Sequence, residues 1–78
     1  MSPKLPVVSG ADVIRVLERI GFERARQKGS HIALIRRTEP IKAITVPKHK
    51  ELARGTLRAI IRQADLSVPE FLEHLGQI

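Results

Sequence analysis

The chain has 78 residues, enough for one small hydrophobic core, and a single domain spanning 1–78 is expected. Without cysteine it can form neither disulfides nor thiolate metal centres, and its longest apolar run, IALI, is far below the ~18 residues a membrane-spanning helix needs. Because the opening MSPKLPVVSG also lacks the apolar stretch of a secretion signal, a cytoplasmic protein with no membrane partner is expected. Fourteen Lys and Arg against eight Asp and Glu leave a net charge of +6, which favours a polyanionic partner over a neutral metabolite.

Ser9 before Gly10, Ala11 and Asp12 has the form of a helix N-cap, with an acid placed in the first turn. Val13, Val16, Leu17 and Ile20 then recur at helical spacing, and Gly21 offers a left-handed stop, so a first helix is predicted over about residues 10–20. From Phe22 to Lys28 the pattern predicts a half-exposed strand with Phe22, Arg24, Arg26 and Lys28 on one face. Gly29-Ser30 turns it into a second strand, His31 to Arg37, with Ile32 and Leu34 on one face and His31, Ala33 and Ile35 on the other. After the Thr38-Glu39-Pro40 turn, Lys42 to Val46 forms a third strand with Ile44 and Val46 inward, stopped by Pro47.

Lys48-His49-Lys50-Glu51 is a polar connection, and Gly55-Thr56 is predicted to turn the chain and cap a second helix carrying Leu57, Ile60, Ile61 and Ala64 on its inner side. Arg54, Arg58 and Arg62, four apart, line the outer side of that helix in a cationic ridge. Ser67 and Glu70 form a capping box for a short third helix with Val68, Phe71, Leu72 and Leu75, ending at Gly76. The order α-β-β-β-α plus a short C-terminal helix predicts an α+β two-layer domain, a small antiparallel sheet with helices on one face. The double-stranded-RNA-binding domain has the same α-β-β-β-α order, an analogy of fold rather than of function.

Charge is concentrated between Arg24 and Arg62, where eleven cations face only Glu39 and Glu51, a net +9. The two aromatics, Phe22 and Phe71, are predicted for the core, so base-stacking platforms are missing and an RNA partner would be held mainly through phosphate and sugar. No metal-ligand spacing stands out among the scattered acids and the three histidines, and no cofactor is implied. Neither a GxSxG elbow nor a Walker-type loop is present.

What remains is a histidine among cations. RNA cleavage without a metal needs a group that takes the 2′-hydroxyl proton, one that protonates the departing 5′-oxygen, and positive charge for the phosphorane. Imidazole, with an ordinary pKa of ~6.5, can do either proton transfer at neutral pH. His31, flanked by Arg26, Lys28, Arg36 and Arg37, is the candidate, as base or as acid, against the alternative of a structural histidine satisfied within its strand. His49 reads as a solvated loop residue or phosphate contact rather than as a second catalytic group, and His74 as a helix-end residue with no role in the chemistry.

The stretches LPVVSG, GFERARQKGSH, ITVPKHKELARGTLRAIIRQA and PEFL together resemble the HicA family of mRNA interferase toxins, in family order over about residues 5–75. The resemblance implies a fold related to the double-stranded-RNA-binding domain, toxic cleavage of mRNA and neutralisation by a HicB-type antitoxin. It also implies that His31, which follows Gly-Ser, is the catalytic histidine, with Gly29 shaping the turn that presents it and Ser30 helping to position it. Arg26, Lys28, Arg36, Arg37, Lys48, Lys50, Arg54, Arg58 and Arg62 are the candidate RNA-binding cations. Two competing functions are a module that grips double-stranded RNA without cutting it and an interaction protein whose cations meet an acidic protein surface.

Overall fold

The computed structural model describes residues 4–78, so the first three residues of the MSPKLPVVSG stretch lie outside it. The elements follow in the order α1 (Gly10–Arg19), β1 (Glu23–Lys28), β2 (His31–Arg36), β3 (Lys42–Pro47), α2 (Arg54–Gln63) and α3 (Val68–Leu75). The strands form one antiparallel sheet in the order β1-β2-β3, giving the α+β architecture expected from the sequence pattern. Among the described residues, no helix is long and apolar enough to cross a membrane.

Helix α1 begins in a capping box. The Asp12 amide donates to the Ser9 hydroxyl at 3.0 Å, and the Ser9 amide donates to the Asp12 carboxylate at 3.4 Å. At its other end, Phe22 N–H donates to the Leu17 carbonyl and Gly21 N–H to that of Glu18, a Schellman closure that needs the positive φ of Gly21, +103°. Leu17 and Phe22 are both buried there, so the motif that stops the helix also delivers Phe22 to the core.

One face of the sheet is apolar. Ile32 pairs with Val46 and Leu34 with Ile44, and all four are buried with Val13, Ile14, Val16 and Leu17 of α1, Leu57, Ile60 and Ile61 of α2, and Phe71 of α3. Burying each such side chain contributes roughly 1.5–3 kcal/mol, and no charged or polar residue is buried among those described. The other face carries His31, Ala33 and Ile35 of β2 opposite Pro47, Thr45 and Ala43 of β3.

Two local expectations give way to tertiary structure. Strand β1 starts at Glu23 and is exposed throughout, and its register slips between Arg24 and Arg26, a bulge that leaves Ala25 unpaired. The slip reverses the faces: Arg24 sits opposite Leu34 on the helix side, where it pairs with Glu18 of α1 at 3.4 Å, while Arg26 and Lys28 lie opposite Ala33 and His31 on the open side. Phe22, Arg24, Arg26 and Lys28 therefore do not share one face. Helix α2 starts at Arg54 with Ala53 as an N-cap that has no side-chain bond, so Gly55 and Thr56 lie in its first turn rather than ahead of it. Buried Leu52, whose amide donates to the Val8 carbonyl, anchors the approach, and seating Leu57, Ile60 and Ile61 in the core outweighs the capping preference of Thr56.

Between α2 and α3, Leu66 N–H reaches the Ile61 carbonyl and Asp65 N–H that of Arg62, a second Schellman closure with Asp65 at φ +59°. The Asp65 carboxylate takes the Lys42 ammonium and lies 4.0 Å from the Arg36 guanidinium, and the Lys42 hydrogen bond holds its pKa below the ordinary aspartate value. Helix α3 then opens with the Ser67–Glu70 capping box, which lowers the Glu70 pKa.

Candidate functional site

The β1–β2 turn places His31. Of the two loop residues only Gly29 has positive φ, +58°, the arrangement of a two-residue type II′ hairpin, and the Gln27 side-chain amide braces the Gly29 carbonyl at 3.1 Å. Lys28 and His31 close the hairpin as cross-strand partners, so the imidazole starts β2 exposed on the open face. Behind it, Lys48 N–H donates to the Ser30 carbonyl at 2.6 Å, extending the β2–β3 ladder one residue beyond the His31–Pro47 pair. Ser30 thus contributes a backbone carbonyl to the junction of the two strands.

Arg26, Lys28, His31, Ala33 and Thr45 line one open concavity of about 300 Å³ on this face. Small Ala33 and Thr45 leave the floor low, and the two cations of β1 stand along one side of the imidazole. Without the bulge at Ala25, the strand could not present Arg26 and Lys28 here while turning Phe22 inward. Such an arrangement can hold a phosphate and exchange a proton with a group bound to it.

Lys48, His49 and Lys50 lie just past the end of β3, exposed and next to the turn. Gly10 fastens this segment: its amide donates to the His49 carbonyl at 2.8 Å, and a β-carbon built on it would stand 2.1 Å from the Pro47 carbonyl oxygen. In the sequence Gly10 marks no more than the helix start. A glycine standing where any better helix former would serve is the one signal that could have exposed the close approach.

Four of the other candidate cations are elsewhere, as is Arg36. Arg36 is on the helix side of the sheet with 18% of its side chain exposed, donating to the Pro40 carbonyl at 3.1–3.2 Å and lying 5.5 Å from the centre of the Phe22 ring. Arg37 is beyond the far end of β2 and pairs with Glu23 at 3.4 Å. Arg54, Arg58 and Arg62 are exposed on α2, in the layer behind the sheet, where Arg58 and Arg62 edge a second hollow with Ile61, Leu66 and Val68. His74 accepts a hydrogen bond from Arg19 Nε at 3.2 Å, joining α3 to α1. Among the described residues, no three His, Cys, Asp or Glu side chains gather as a metal site would require.

Fold and site together define a class: a small basic α+β domain whose sheet is sheathed by helices on one face and open on the other, with an imidazole among cations. The family model described as the HicA toxin of bacterial toxin-antitoxin matches residues 10–66, from the first residue of α1 through the turn after α2. The chain belongs to the HicA toxin family, and so to the toxins of toxin-antitoxin systems. No curated protein sequence matches it.

Proposed function

We propose that the protein is an mRNA interferase, a metal-independent endoribonuclease whose catalytic histidine is His31, and that a HicB-type antitoxin neutralises it by covering the open sheet face. One observation carries this reading: the His31 imidazole is exposed on the uncovered face and shares a single concavity with Arg26 and Lys28. RNA laid across that face meets Arg26 and Lys28 on one side and Lys48 and Lys50 at the end of β3, which hold its phosphates while His31 exchanges a proton with a ribose or leaving oxygen. The ridge of Arg54, Arg58 and Arg62, in the other layer, acts at a distance by drawing a long polyanion toward the protein. Activity on mRNA puts the protein in the cytoplasm.

Induced expression of the wild type should arrest growth, and the purified protein should cut RNA in EDTA. His31→Ala should abolish both, a loss of at least 10²-fold in cleavage, while binding RNA within about twofold of wild type. Undiminished cleavage by the variant removes His31 from the chemistry. Wild-type protein that binds duplex RNA and shortens no RNA would instead establish a non-catalytic binding module.

A further inference from the structure

Attack by a ribose hydroxyl moves two protons, one off the 2′-oxygen and one onto the 5′-oxygen, and His31 accounts for one of them. As side-chain types, lysine and arginine are poor proton shuttles at neutral pH, whereas imidazole takes up and releases a proton readily. Of the three histidines in the chain, His74 is committed to the contact between α1 and α3. That leaves His49.

The fold brings His49 to the same end of the sheet as His31. Pro47 is the cross-strand partner of His31, and the 2.6 Å bond from Lys48 N–H to the Ser30 carbonyl keeps the departing chain beside the start of β2. Standard backbone dimensions along that path put the Cα atoms of His31 and His49 no more than about 12 Å apart, a gap that two imidazoles and a phosphodiester can bridge. The segment is also pinned: Ser30 holds Lys48, Gly10 holds the His49 carbonyl, and Val8 holds the Leu52 amide. Such fixing of a short polar connection, with its imidazole left in solvent, suits a group that must meet a substrate in one place.

We propose that His49 is the second proton-transfer group, so that His31 and His49 serve as base and acid on one phosphodiester. The inference rests on the endoribonuclease reading above. One imidazole removes the 2′-hydroxyl proton as the 2′-oxygen bonds to phosphorus. The bond from phosphorus to the 5′-oxygen breaks, its electron pair goes to that oxygen, and the other imidazole, protonated beforehand, supplies the proton. The products are a 2′,3′-cyclic phosphate and a free 5′-hydroxyl, and proton exchange with solvent resets both rings.

The test uses His49→Ala and His31→Ala in the full chain, with an RNA oligonucleotide cut by the wild type and the same oligonucleotide carrying sulfur in place of the bridging 5′-oxygen at the cut. A thiolate leaves without being protonated, so the sulfur substrate relieves loss of the acid and not loss of the base. His49→Ala should cut ordinary RNA about 10²–10⁴-fold more slowly, bind it within twofold of wild type, and keep the wild-type melting temperature, because among the described residues His49 is hydrogen-bonded through its carbonyl only. His49→Asn, which retains a polar side chain, should be equally slow. On the sulfur substrate only one of the two alanine variants should approach the wild-type rate; whichever it is lacks the acid. Wild-type cleavage by His49→Ala, weakened RNA binding that accounts for its whole defect, or recovery of neither or both alanine variants would overturn the pair. A wild type that cuts no RNA would defeat the ribonuclease reading itself, a result distinct from any of these.

Discussion

A single methyl group at Gly10 tests how the end of the sheet is held. Its β-carbon would stand 2.1 Å from the Pro47 carbonyl oxygen, 2.9 Å from the Lys48 Cα and 3.0 Å from the Pro47 carbonyl carbon. All three are backbone atoms, so no side chain can swing aside. Reaching an ordinary contact of 3.4 Å requires the two backbones to part by about 1.3 Å, which also breaks the 2.8 Å bond from the Gly10 amide to His49. Overpacking of this kind costs about 1–3 kcal/mol and the lost bond about 1 kcal/mol. Alanine recovers at most about 1 kcal/mol of helix propensity, and less in a first turn. Gly10→Ala is therefore expected to destabilise the protein by about 1–4 kcal/mol and to lower the melting temperature by roughly 5–30 °C. With no Trp or Tyr in the chain, far-ultraviolet circular dichroism in urea and on heating is the suitable assay. Ala11→Gly, at the exposed neighbouring position, is the control and should cost no more than about 1 kcal/mol. Gly10→Ala melting at or above the wild-type temperature would show that α1 and the Pro47–Lys48 backbone do not meet as described.

Three further outcomes are expected. Ala53→Ser gives α2 the side-chain cap it lacks and should raise stability by about 0.5–2 kcal/mol in urea titration, with RNA cleavage unchanged. The Asp65 pKa is lowered in the fold, so its stabilising contribution is full above the ordinary aspartate range and disappears as pH falls through the lower folded value. Urea midpoints of wild type and Asp65→Asn should accordingly differ near neutrality, converge in acid, and differ less at high salt, because the group is exposed. Removing Arg26 and Lys28 together should reduce the salt dependence of RNA binding by about 1.4 in the slope of log K against log salt. Removing Arg54, Arg58 and Arg62 should instead slow association at low salt and leave single-turnover cleavage at saturating protein unchanged, as their place behind the sheet requires.

Much of the fold was legible because it is encoded over short distances. Ser9 with Asp12 and Ser67 with Glu70 announce two helix starts through bonds made within four residues, and Gly21 and Gly29 mark backbone conformations that other residues adopt at a cost. Alternation in HIALIR assigned His31 and Ile32 to opposite faces, which is enough to expose the imidazole once Ile32 is buried. The charge between Arg24 and Arg62 was equally plain, but its division was not. Four-residue spacing aligned the α2 arginines correctly without revealing that they stand in a different layer from His31.

Local pattern along the chain is enough for the element order, two of the three helix caps, the inward and outward parity of β2 and β3, and the family. Tertiary structure alone decided the slip at Ala25 that turns Arg26 and Lys28 toward His31, the start of α2 at Arg54, the engagement of Arg36 with Pro40 and Phe22, and the approach of Gly10 to Pro47. The physical reason is common to all four. Each is settled by which distant groups must be buried or bonded together, and those demands exceed the small preferences that neighbouring residues impose on the backbone.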